Sequence, residues 1–140
     1  MPISQEAQDV IDKILSNCEA ARRDIDAQRT TLGTRLNQLE SPIPPRALTP
    51  AEEAEVTKIN TAIDALSESD DELSIVTLEA LNDSATVKGM ADSIKAVNTG
   101  LKTKLEKVQK TAQKLQEIAD FIKTLDGIAQ NLIKLATLLA

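Results

Sequence analysis

The chain has 140 residues, 41% of them hydrophobic and 27% charged, with a net charge of −6, which is enough apolar material for one domain with its own core. It has no His, Trp or Tyr, and Phe121 is its one aromatic residue. It therefore lacks the usual proton carrier near neutral pH and the stacking platforms of a nucleic-acid surface, and has almost none of the aromatic residues that favour a sheet.

Residues 1–16 carry Glu6, Asp9 and Asp12 where a signal peptide requires an unbroken apolar run. Even the last thirteen residues, the most apolar window, contain Lys134, so no stretch of about 18 apolar residues could span a bilayer. The chain is expected to be cytoplasmic as synthesised, with leaderless export left open.

The pattern predicts a helix over 4–40. Ala7, Ile11, Ile14, Cys18, Ala21, Ile25, Leu32 and Leu39 recur in steps of four and three, widened by Leu15 and Leu36. Gln28 and Arg35 stand in that seam, and Arg35 is expected to snorkel past the helix edge. Cys18 falls on the seam as well, where a lone thiol packs as a small hydrophobe.

Residues 41–49, with Pro42, Pro44 and Pro45, form an extended connector, because proline removes a donor and pushes the preceding residue out of the α region. Thr49-Pro50-Ala51-Glu52 then opens a second helix, over 50–82, with Thr49 as N-cap and Glu52 closing a capping box. Val56, Ile59, Ile63, Leu66 and Leu73 continue its apolar face. The polar run 67–72 is expected to kink or restart it, since Ser69 and Glu72 could form a second capping box.

Asn82-Asp83-Ser84 marks a turn or cap. A heptad then runs through Val87, Ile94, Leu101, Val108, Leu115 and Ile122, with Met90, Val97, Ile118, Leu125, Leu132 and Leu139 as partners. Lys104 and Thr111 interrupt it, where Leu105 and Ala112 take over. The favoured reading is one helix over 85–140, about 84 Å long at 1.5 Å per residue, bent or broken near Gly100 or Gly127. The fold expected is all-α: an antiparallel bundle of three long amphipathic, coiled-coil-like helices, or four if the last divides. Such architecture is similar to that of many unrelated bundles, among them coiled-coil adaptors, secretion-system components and α-helical toxin subunits.

Residues 50–84 hold ten carboxylates against Lys58, while 85–140 hold nine lysines against five carboxylates. Complementary flanks of an antiparallel pair account for this contrast. The basic run Lys102, Lys104, Lys107, Lys110 and Lys114 has no interleaved aromatic and sits in an acidic chain, so nucleic acid is not expected as a partner. Counted from Asp70, an EF-hand would need Gly and Glu where Ile75 and Leu81 stand. Glu52 and Glu55 have the spacing of a carboxylate dimetal motif, but a solvated helix face explains them. Neither a metal, a cofactor, a small-molecule substrate nor a catalytic residue is expected, and the chain reads as a non-enzyme.

Phe121 to Ala140 is the most apolar segment. On a helical wheel its polar residues occupy a strip of only about 140° at 100° per residue. Phe121, Leu125, Ile128, Leu132, Ile133, Leu135, Leu138 and Leu139 are the candidate contact residues. The function expected is helix-mediated association with another protein or a second copy of the chain; the alternative is a membrane-interacting helical protein of the pore-forming or lipid-binding kind. A central helix touching two neighbours would instead use the same face as core.

Overall fold

A row of side chains repeating in steps of four and three lies on one face of a helix, and in the computed structural model of the chain that row becomes the first wall of a bundle. The structure describes residues 3–112 and 115–140, and the side chains of these outside 109–117. Helix α1, Gln5–Glu40, begins under Ser4, whose hydroxyl accepts the Ala7 N–H at 3.1 Å. Ala7, Ile11, Ile14, Cys18, Ala21, Ile25, Gln28, Leu32 and Leu39 are all buried along it. Arg35 stays at the rim, donating to both carboxylate oxygens of Glu55 at 3.1 and 3.2 Å, while its stem covers the edge of the seam.

Helix α2, Pro50–Ser74, starts with the expected capping box: the Glu52 N–H donates to the Thr49 hydroxyl and the Thr49 N–H donates to the Glu52 carboxylate. Arg46 donates to both oxygens of Glu52 at 2.7 and 3.0 Å, which ties the proline-rich connector to the helix it introduces. The helix runs through 67–72 without a kink or restart and ends eight residues earlier than expected. Leu66, Ser69 and Leu73 stay in phase on the buried face, so the polar run is a solvated face and the second capping box has no break to cap.

Residues 75–83 form a turn held by buried Val76 and Leu81. Asp83 closes it as the cap of α3, accepting the Thr86 N–H at 2.9 Å and the Thr86 hydroxyl at 2.7 Å.

The single helix expected over 85–140 is instead two, α3 Ser84–Ala112 and α4 Leu115–Leu139. Both Gly100 and Gly127 lie inside a helix, so neither is the break. A straight helix of about 84 Å would carry its apolar C-terminal half beyond anything it could pack on. Division into α3 and α4 lets that half return along the bundle. The seam of α3 also differs from the expected one: Val87, Ala91, Ile94, Asn98, Leu101, Leu105 and Val108 are buried, whereas Val97 and Lys104 are only partly so. The seam positions expected at Thr111, Ala112 and Leu115, like Lys110 and Lys114, lie outside the described side chains.

Packing joins α1 to α2, α2 to α3, α3 to α4 and α4 back to α1, with a small diagonal contact between α1 and α3; the α3–α4 interface is the largest. Arg22 meets Asp70 and Arg35 meets Glu55, so partner numbers on α2 fall as those on α1 rise. Ser84 donates to the Ala136 carbonyl at 2.7 Å and Asn98 donates to Asp126, in the same sense. Lys134 reaches Glu6 at 3.7 Å. These contacts bring the start of α1, the 75–83 turn and the end of α4 to one end of the bundle, and leave the connector at the other.

A Cβ at Gly127 would meet nothing within 4 Å. Gly127→Ala is therefore expected to raise stability by up to about 1 kcal/mol in urea unfolding, the ordinary gain in a helix interior. A clear loss would mean that the helix bends there.

Candidate association surface

The eight candidate contact residues of the last helix separate by burial. Phe121, Leu125, Ile128, Leu132 and Leu135 are at most 1% exposed and belong to the hydrophobic core. Their burial matches the alternative in which a central helix touching two neighbours uses this face as core. Helix α4 packs on α3 along one side and α1 along another, and two neighbours consume an apolar face too wide for one. Leu138 and Leu139 are partly buried against the same core, and Ile133, 38% exposed, is the one member left outward.

The large exposed aliphatic residues lie elsewhere. Ile75 and Leu78, 53% and 61% exposed, sit in the turn between α2 and α3. In the same turn Val76 and Leu81 are buried and Ala80 packs against the core, while Ile75 and Leu78 are left outward. Ile3, before α1, is 43% exposed at the same end. At the opposite end Ile43 stands 96% exposed between Pro42 and Pro44.

Beside the turn, α1 and α2 part into an open groove. Leu15, Cys18, Leu73 and Val76 supply its apolar floor, with Glu19, Arg22, Arg23 and Asp70 among its rim. Arg22 donates to Asp70 at 2.9 Å, and Arg29 approaches the other Asp70 oxygen at 4.0 Å and donates to Ser67 at 3.2 Å. The acidic end of α2 is thus bridged to the arginines of α1. The flank complementarity expected between α2 and α3 is met here between α1 and α2, while Lys104 and Lys107 of α3 share a shallow surface groove with Lys58, a juxtaposition of like charge.

Burial pushes the Cys18 thiol up to about 11, against a smaller opposing pull from the Arg22 charge, so at neutral pH it is a protonated, packed side chain. Hydrogen bonds from Arg46, and then from Thr49, hold Glu52 down to about 2. Asp83 is lowered by the hydroxyl and N–H of Thr86. Each of these shifts moves its group away from neutrality. Glu52 and Glu55, the carboxylates with dimetal spacing, are each engaged by an arginine instead. Among the described residues no group of three or more metal-ligating side chains comes together, and no helix is long and apolar enough to cross a membrane.

One buried polar group interrupts the α3–α4 seam. Asn98 is 6% exposed, its amide donates to Asp126, and its Oδ1 is buried without a partner. Flipping the amide would set that oxygen against the carboxylate, so the orientation follows from Asp126. A buried acceptor left unmade costs about 1–3 kcal/mol, a cost that polar seam residues elsewhere exchange for a fixed register. The heptad expected from sequence missed this position because it followed Val97, one residue earlier.

No family model matches the chain, and neither a curated protein nor a solved structure matches it significantly.

Asn98→Leu is expected to raise the urea midpoint by an amount equivalent to about 1–2 kcal/mol at unchanged slope, since the orphaned oxygen goes and the exposed Asp126 returns to water. A fall in midpoint would show that the Asn98–Asp126 bond outweighs the burial cost.

Proposed function

We propose that the chain is a non-catalytic, antiparallel, coiled-coil-like four-helix bundle that works by association with a second protein surface, through the end formed by the 75–83 turn. The observation that carries this reading is the pair Ile75 and Leu78, held 53% and 61% exposed beside an open groove with an apolar floor. Ile3, Ile75 and Leu78 are exposed together at this end, and apolar area grouped in this way favours a protein contact. The charged groups support a structural use of polar chemistry: Arg22, Arg35 and Arg46 are each raised above their ordinary value by a carboxylate hydrogen bond and serve to join elements.

Association through the broad face of α4, the element favoured by sequence, would require opening the core around Phe121 and Leu132. The turn end needs no such opening. The same consideration bears on the membrane alternative, since the apolar side chains of α4 that would enter lipid are the ones packed on α1 and α3.

Placing a photo-crosslinking residue at position 78, and as a control at the exposed position 30 on α1, tests this in the cells that make the protein. Protein adducts from position 78 in excess of those from position 30 are expected. Equal yields, or none from either site, would refute the reading, and adducts to lipid alone would favour the membrane-interface alternative.

A further inference from the structure

Resting on that reading, we propose that the second surface is another copy of this chain, bound head to tail: the connector apex at Ile43 of one copy seats in the groove beside the 75–83 turn of the next.

The two ends are unlike in shape. Ile43 is 96% exposed, the most exposed large aliphatic side chain among the described residues. It is flanked by prolines whose fixed φ reduces what ordering on binding would cost. The connector is also anchored: Arg46 grips Glu52, and Glu52 closes the Thr49 capping box. Ile43 is thus presented as a knob on a tethered loop. At the other end Ile75 and Leu78 stand exposed in the turn, beside a groove with Leu15 among charged and polar side chains and Cys18, Leu73 and Val76 buried beneath, and together they supply the apolar contact a single aliphatic knob requires.

They are unlike in charge as well. Residues 3–24, 68–92 and 130–140, which build the turn end, hold twelve carboxylates against five cations, a net of −7; residues 35–58, 100–107 and 118–124, toward the connector end, hold seven cations against six carboxylates, a net of +1. A symmetric pairing of two turn ends would press two regions of −7 together, whereas turn end against connector end removes that repulsion. Two connector ends would bring two knobs together with no socket. The contact is therefore heterologous, and because it leaves one free knob and one free socket it propagates unless the rotation closes a ring.

Sedimentation velocity with light scattering on the full chain over a wide concentration range provides the test, using Ile43→Asp, Leu78→Asp and an equimolar mixture of the two. Both positions are exposed, and circular dichroism verifies that each variant folds. The native chain is expected to exceed twice the monomer mass as concentration rises. Each variant alone should associate about tenfold or more weakly, from the loss of one buried aliphatic side chain. The mixture should form a 1:1 pair of twice the monomer mass and stop there, since Ile43→Asp retains a socket and Leu78→Asp retains a knob. A native chain that stays monomeric throughout, a variant that associates like the native chain, or a mixture that does not pair would each overturn head-to-tail assembly. Position-78 crosslinks to a different protein in cells would still stand in that case; loss of both results would remove the association reading itself.

Discussion

Burial of α4 between α1 and α3 is the contact on which the remaining structure depends. Phe121, Leu125, Ile128, Leu132 and Leu135 bring a concentration of apolar surface that no other helix matches among the described residues, and it lies in the last quarter of the chain. It can be covered only if the chain reverses after α3 and returns to α1. Once it does, α1 to α3 become the other walls of a closed ring, with sequence neighbours adjacent and the last helix against the first. At about 25 cal/mol per Å² of apolar surface buried, this is the dominant favourable term available to such a bundle.

How far the sequence discloses this varies along the chain. The seam of α1 is readable because nine successive steps alternate without a slip, so helical geometry alone brings Ala7 to Leu39 to one face. The Thr49–Glu52 cap is readable because its residues interact locally. The division of α3 from α4 is not, since the heptad passes through the region without a phase change and the reason to fold back is tertiary: α4 needs two neighbours. The same tertiary demand hid the fate of Phe121 and Leu132, because width of an apolar face does not say whether a neighbour from the same chain or another one covers it. Asn98 and the turn were missed for a different cause. A one-residue change of row exchanges Val97 for Asn98, and nothing in Ile75-Val76-Thr77-Leu78 distinguishes the aliphatics that turn inward from those that do not.

Charge and apolar surface together give the bundle a direction. The acidic end of α2 is clasped by Arg22 and Arg29 of α1, which offsets carboxylate repulsion within the fold but leaves the turn end strongly negative. The connector end combines a proline-flanked Ile43 with the cations of α3. Meanwhile the Asn98–Asp126 pair lies midway along the α3–α4 seam, where a shift of one helical turn would separate it. The interior is therefore specified by position, and the ends by difference.

The central claim, that the apolar face of α4 is core, is tested most directly by Leu132→Asp, followed by circular dichroism and sedimentation. Leu132 is 0% exposed, and a carboxylate there has no partner to offset its burial. Loss of the cooperative helical fold is the result predicted. A stably folded helical protein that differs from the native chain only in its state of association would contradict the account, because it would show that α4 offers its apolar face to a partner and not to its own chain.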